Sequence, residues 1–373
     1  MRLNFDIDAL LGIGWPAREA WPSGWEAVVD AHPGARPARV TEQHRSGYVV
    51  AEAIDDAQSA ESLPEWQRPR CEPTSRAAVG DWVLVEGEPG KLRIVALLPR
   101  ISVIKRAAAG EHYKQQLIAA NVDTAFVVTG LDADFNVRRI ERYLLLLKGG
   151  GVQPVVVLTK QDIADDAPGA VAALAMLAEQ DIPVRSVNAR DADSVAALHP
   201  WLGPGQTVVL VGSSGAGKST LTNTLLGRSR MKTAAVRESD ARGRHTTTHR
   251  ALIAMPQGAC LIDTPGMREL KPTGEEQLDE AAFADIEALA AQCRFRDCRH
   301  ENEPGCALRE AVRRGELDPG RFANYLKLRD ELTAAAQVLE ARQAKPAEAR
   351  KVQKRPSPRR GADDDDDEYD QYE

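Results

Sequence analysis

The run Gly212-Ser213-Ser214-Gly215-Ala216-Gly217-Lys218-Ser219 fits the spacing G-x-x-x-x-G-K-[ST], follows the apolar run TVVLV and opens the helical pattern KSTLTNTLLG. That order suits a phosphate cradle. Glycines let backbone N–H groups wrap an anion, a helix N-terminus adds its positive end, the lysine reaches the outer phosphates and the serine hydroxyl ligates Mg2+. Thr220, next on the helix, falls beside the α phosphate. Further along, Asp263-Thr264-Pro265-Gly266 follows the run ACLI. P-loop enzymes place there an acid that holds Mg2+ through a water and a glycine that senses the γ phosphate.

Thr159-Lys160-Gln161-Asp162 closes the run VVVL and has the form [NT]KxD. A carboxylate at Asp162 can accept from both N1–H and the exocyclic N2 amine of guanine, a pair that adenine does not offer. The Lys160 stem is expected to lie along the base. Thr159 in place of asparagine is expected to lose one loop-bracing hydrogen bond. Ser186-Val187-Asn188-Ala189, after the next apolar run, is placed to offer a backbone N–H to guanine O6. The base-reading motif precedes the phosphate loop, the reverse of the usual order, so the sheet is expected to be circularly permuted. In that arrangement the Asp263 loop leads straight into the C-terminal region, where nucleotide state could be felt.

Between the phosphate loop and Asp263 lies Gly243-Arg244-His245-Thr246-Thr247-Thr248-His249. One of the threonines, with Thr247 as the candidate, can add a hydroxyl to Mg2+ when the γ phosphate is present. The residue after Gly266, where many GTPases carry a water-orienting glutamine, is Met267. Another group must orient water, and His245 is the candidate, with His249 second.

Cys293, Cys298, His300 and Cys306 form C-x4-C-x-H-x5-C. Three thiolates and one imidazole suit a tetrahedral Zn2+. With every position filled by protein no water can be activated, so the site reads as structural. The odd cysteine count, five in all, speaks against a disulfide framework and for reduced thiols.

These motifs need a scaffold, and the texture of the chain supplies one. Residues 1–37 hold many Gly and Pro and read as an irregular or short helical lead-in without chemistry. Over 38–106 the short runs ARVTEQ, GYVVAEAI, GDWVLVEG, KLRIVALL and ISVIKR predict a small antiparallel barrel, with the polar stretch between Asp55 and Ala77 as a long loop. Such a barrel is either an oligonucleotide-binding fold or a structural adaptor. Over 112–272, continuous apolar runs alternate with helical segments such as Val137 to Lys148, which predicts a doubly wound α/β sheet. A helical appendage carrying the cysteines spans 273–340, and 341–373 reads as a disordered tail, basic and then acidic. The net charge of −7 owes much to DDDDDEYDQYE at the end, so it does not exclude a nucleic-acid partner. No apolar run reaches the roughly 20 residues of a membrane span, and no secretory signal shows, so a cytoplasmic protein without a membrane partner is expected.

Taken together, GDWV, ISVIKR, TKQD, GSSGAGKST, GRHTTT, DTPG and the cysteine cluster resemble the ribosome small-subunit-dependent GTPase family (RsgA, also called YjeQ). The resemblance covers most of 38–330. It implies an oligonucleotide-binding barrel, a permuted GTPase domain and a zinc domain. It further implies slow GTP hydrolysis stimulated by the small (30S) ribosomal subunit, contact with 16S rRNA late in that subunit's maturation, and a catalytic histidine at His245. A monomer is expected, with no DNA partner. Two other readings stay open: a P-loop ATPase or nucleotide kinase, disfavoured by Asp162, and a nucleotide-switched RNA-binding scaffold with negligible hydrolysis, kept open by Met267.

Overall fold

The computed structural model describes residues 5–16, 21–44, 47–68, 71–107, 115–227, 251–263, 272–276 and 283–344. Two short helices, α1 (Ile7–Leu11) and α2 (Trp25–Ala31), precede a barrel of β1 (Arg36–Gln43), β2 (Tyr48–Ala51), β3 (Ala57–Glu61), β4 (Trp82–Glu86) and β5 (Leu92–Leu97). Its strands run in the order β1-β2-β3-β5-β4 and close by pairing β4 with β1. Inward residues such as Val40, Val50, Val83, Val85, Leu92 and Ile94 fill it. The sequence expectation differs at two segments. The segment AQSAE, expected in a loop, is the strand β3, and only Ala60 of it is buried. It becomes a strand through its pairing with β2 and β5 rather than through its own pattern. The run ISVIKR is instead β6 (Val103–Ala107), which forms a separate hairpin with β7 (Gln115–Ala120).

The second layer system is a parallel sheet with one antiparallel strand. It contains β8 (Thr124–Gly130), β9 (Gln153–Thr159), β10 (Val184–Ser186), β11 (Thr207–Val211), β12 (Ala251–Ala254) and β13 (Cys260–Asp263), in the order β10-β9-β8-β11-β13-β12. Alternate residues face opposite sides, as period two demands. Ala125, Val127, Val156, Leu158, Val209 and Val211 join a core with α3 (Val137–Lys148), while Phe126, Val128, Val155, Val157, Val208 and Leu210 join another with the helix Lys218–Leu225. Here α4 is Ala167–Ala172, α5 is Ala192–Val195 and α6 is Lys218–Leu225. Helices therefore cover both faces, and the strands read as unbroken apolar runs for that reason. At the far edge β12 pairs with barrel strand β1, Glu42 opposite Ala251, so the two sheets are continuous.

A helical region completes the fold with α7 (Ala284–Ala290), α8 (Ala307–Arg314) and α9 (Pro319–Ala344). Phe283, Ile286, Leu308, Leu317, Tyr325 and Leu328 form its core. It docks on α3, where Glu141 accepts from Arg321 (2.7 Å) and Asn324 (2.6 Å) and Arg142 pairs with Glu331. Among the described residues no helix is long and apolar enough to cross a membrane.

The lead-in is packed rather than loose. Trp15 is buried against Trp82 of the barrel, Trp25 packs on Trp15, and all three share a cluster with Cys260 of β13. Beneath them lies Arg39, fully buried, whose guanidinium donates to the carbonyls of Ile13, Gly80 (3.3 Å) and Asn121 (3.1 Å) and sits 5.0 Å from the Trp82 ring. Burial holds this guanidinium below its usual pKa, against the opposing pull of Cys260, Asp123 and Asp81. One cation thus joins lead-in, barrel and the entry to the α/β sheet. Gly14 makes room for it: with φ +89, a β-carbon there would stand 2.1 Å from the Arg39 Nη1. Arg39→Met keeps most of the volume but strips the donors from three carbonyls. The expected loss is about 3 kcal/mol of unfolding free energy. Denaturant titration checks it, and a loss below about 1 kcal/mol would contradict the role given to the guanidinium.

Candidate functional site

The carboxyl ends of β8, β9, β10, β11 and β13 lie on one side of the sheet, because these strands are parallel neighbours. Ligands of open α/β sheets bind in such a crevice. The phosphate loop leaves β11 there and enters α6. Its glycines are required by geometry. Gly212 has φ +146 and a β-carbon on it would stand 2.1 Å from the Val128 carbonyl oxygen; Gly217 has φ +90 and would press on Thr159. Ser214 and Gly215 are exposed at the loop tip, and Ala216 is buried beneath it. Lys218 folds over the loop and donates to the carbonyls of Gly212 (2.7 Å) and Ser213. Ser219 and Thr220 are half-buried in the first turn of α6. Asp263 ends β13, next to β11.

The base motif leaves the neighbouring β9. Thr159 is fully buried, and its hydroxyl donates to the Ala216 carbonyl (2.6 Å) inside the phosphate loop. This corrects the expectation that threonine forfeits a bracing bond: the short hydroxyl reaches because β9 and the loop are held close by the sheet. Gln161 and Asp162 stand exposed on the turn Gln161–Ile163. The Gln161 N–H meets the Val187 carbonyl (3.4 Å), which seats that turn against the Ser186–Ala189 loop. There the Asn188 N–H donates to Ser194 (2.9 Å) and the Ala189 carbonyl accepts from Thr224 of α6 (2.7 Å). Lys160 adopts the left-handed conformation (φ +63) and pairs with Asp132.

Asp132 and Asp134, in the turn after β8, had escaped the sequence reading. Their partners, Lys160 and Ser213, lie far away along the chain and no spacing reveals them. The one available signal was an acidic turn at the carboxyl end of an apolar strand. The hydrogen bond from Lys160 holds the Asp132 carboxyl below its usual range. His245, Thr247 and Gly266, with His249 and Met267, lie outside the described residues, as does the tail from 345 onward.

The metal-ligand set comes together in the helical region. The ligand atoms of Cys293, Cys298, His300 and Cys306 all lie within 4.8 Å of one another. His300 Nδ1 is 3.6 Å from the Cys293 sulfur and 3.5 Å from that of Cys306. Those spacings match the edges of about 3.5 Å expected when sulfur at about 2.3 Å and nitrogen at about 2.0 Å surround one Zn2+. Burial and nearby Arg329 hold the His300 imidazole below its usual pKa, which favours the neutral ring that ligates metal. The Ala307 N–H points at the Cys293 sulfur (3.3 Å), a bond that favours the thiolate. The donor set and its spacing therefore suit zinc.

A family model described as RsgA GTPase matches residues 97–273. The chain is 65% identical over 357 residues to the small ribosomal subunit biogenesis GTPase RsgA of Xanthomonas euvesicatoria pv. vesicatoria (strain 85-10), covering 94% of this chain and 96% of that protein. It is 64% identical over 353 residues to the protein of the same name from Xanthomonas campestris pv. campestris (strain B100), covering 93% and 95%. Among solved structures, YjeQ from Thermotoga maritima superposes with a TM-score of 0.55 at 24% identity, over 80% of this chain and 99% of that one. YloQ, a circularly permuted GTPase, gives 0.54 at 23% identity, over 82% and 96%. These two likenesses speak for the fold. An identity of 65% sustained over 94% of the chain goes further than fold: the chain belongs to the RsgA GTPase family.

Proposed function

We propose that the chain is a GTPase of small ribosomal subunit biogenesis, that it docks on the 30S subunit through 16S rRNA, and that docking stimulates hydrolysis. The observation that carries the nucleotide reading is the Thr159–Ala216 hydrogen bond, which ties the base motif to the phosphate loop at one end of the sheet. The biological part follows the names of relatives that match nearly the whole chain. In this reading Asp162 reads guanine, Gly212 to Gly217 wrap the phosphates, Lys218 neutralises their outer charge and Thr220 lies beside the α phosphate. Ser219, in the first turn of α6 after β11, and Asp263, at the end of the neighbouring β13, would hold Mg2+, with Thr247 adding a hydroxyl and Gly266 meeting the γ phosphate. Bound Mg2+ supplies charge neutralisation at the β and γ phosphates. His245 orients the attacking water, the work that Met267 cannot do. We read 1–35 as lead-in, 36–97 as barrel, 112–272 as GTPase domain, 273–340 as zinc domain and 341–373 as tail, in a cytoplasmic monomer.

The test is GTP turnover with and without purified small subunits. Slow turnover alone and a large rise with subunits is the expected result. Nucleotide binding without turnover in either condition would favour the switched scaffold instead. His245→Ala should keep GTP affinity, because the imidazole acts after binding, yet lose most of the stimulation. Undiminished stimulation would assign water positioning to another group.

A further inference from the structure

We propose that the turn 131–136, between β8 and α3, is a positioning wall of the nucleotide site, in which Asp132 sets Lys160 on the base side and Asp134 sets Ser213 on the phosphate side. The inference rests on the nucleotide site proposed above and adds to it residues that no motif contains.

The Asp132 carboxylate accepts from the Lys160 ammonium, across the crevice from the β9 turn. Lys160 has the left-handed backbone that disfavours a side chain, so its placement needs an outside hold. The space under the pair is kept by Gly130: a β-carbon there would stand 2.7 Å from the Asp132 Oδ1 and 3.2 Å from the Lys160 Cε and Nζ. A bulkier residue would push the pair apart.

Asp134 faces the other end. Ser213 of the phosphate loop donates its hydroxyl to Oδ2, Arg139 of α3 pairs with Oδ1, and the Gly130 N–H also points at Oδ2 (3.4 Å). The turn is itself locked: the Asp134 N–H donates to Asp132 Oδ1 (3.1 Å), and Asn136 caps α3 by accepting from the Arg139 N–H (3.1 Å). Two carboxylates beside a phosphate site would ordinarily repel the ligand. Here each is matched by a cation, Lys160 for Asp132 and Arg139 for Asp134, so the wall contributes orientation without net negative charge.

The two carboxylates thus act on different ends of one ligand, which distinguishes positioning from general stiffening. The experiment uses the zinc-loaded full chain and titrates GDP and inosine diphosphate, which lacks the N2 amine that Asp162 reads. Asp132→Asn should lower the GDP to inosine diphosphate preference about fivefold to tenfold, because Lys160 and the turn carrying Asp162 lose their hold. Asp134→Asn should weaken both nucleotides by a similar factor, about fivefold, and leave the preference intact. Gly130→Ala, which keeps every charge, should reproduce Asp132→Asn. Unchanged affinities in all variants, or a preference lowered equally by Asp132→Asn and Asp134→Asn, would overturn the inference while the parent still binds GDP. A parent protein that binds neither nucleotide would sink the underlying nucleotide reading, and the inference with it.

Discussion

Asp162→Asn is expected to weaken GTP binding by about 3–5 kcal/mol, because two hydrogen bonds to a charged acceptor at roughly 1.5–3 kcal/mol each would be lost or inverted. The carboxylate is exposed on its turn, while Thr159 at the start of the same motif is fully buried and bonded into the phosphate loop. The side chain that reads the base is therefore presented by a backbone anchored from below. Substitution should change recognition without unseating the turn. An amide in that place offers an N–H where the base also offers one, which is a repulsion; xanthine carries a carbonyl at that position, so xanthosine triphosphate should gain affinity in the variant. Titration of the three nucleotides on parent and variant decides the matter. Unchanged GTP affinity, or ATP bound by the parent as tightly as GTP, would remove Asp162 from the base site.

Removal of zinc should unfold the segment that joins α7 to α8. Metal binding by small Cys/His sites is worth about 10–16 kcal/mol in isolated zinc-finger peptides, far more than a short helix can recover by packing. Cys306 is buried in the same cluster as Phe283, Leu308 and Tyr325, and the buried His300 ring lies beside Tyr325, so loss of the ion would also leave a thiol and an imidazole unpartnered against an apolar core. Cys298→Ala, or chelation, should abolish stoichiometric zinc and raise hydrogen exchange across 284–314. The α/β sheet should stay protected, since its cores are built without these residues. Metal-free protein with full protection over 284–314 would show that packing alone holds the region.

Whatever was encoded in short spacing could be read before the structure. The phosphate loop, TKQD, the acid at 263 and the cysteine cluster each occupy a few consecutive residues whose types have few alternative uses. The α/β strands announced themselves because burial on two faces demands unbroken apolar runs. What escaped is what depends on partners remote in sequence. AQSAE has one buried residue and is a strand only by its neighbours. Arg39 sits in a run that reads as an ordinary half-exposed strand, yet its charge is buried by chain segments on either side of it. Asp132 and Asp134 look like solvated acids until β9 and the phosphate loop are folded against them. Trp15 and Trp25, in a stretch that reads as irregular or short helical without a partner, pack together and through Trp15 onto Trp82 because the barrel wall is there to receive them.

The pairing of Glu42 with Ala251 makes the barrel part of the α/β sheet's border. A parallel sheet that ended at β12 would present unpaired N–H and C=O groups, a template for any other extended chain. Here β1 pairs with the start of β12 and Leu252 packs against the tryptophan cluster, so the barrel shields the part of that border nearest Glu42. The order of the chain adds to this. The barrel precedes the sheet, so during synthesis the shield is complete before β12 emerges, and the vulnerable edge is born beside its cover. Cutting the barrel away to obtain a smaller GTPase would discard this protection, and with it the Arg39 carbonyl clamp that holds the entry to β8 in place.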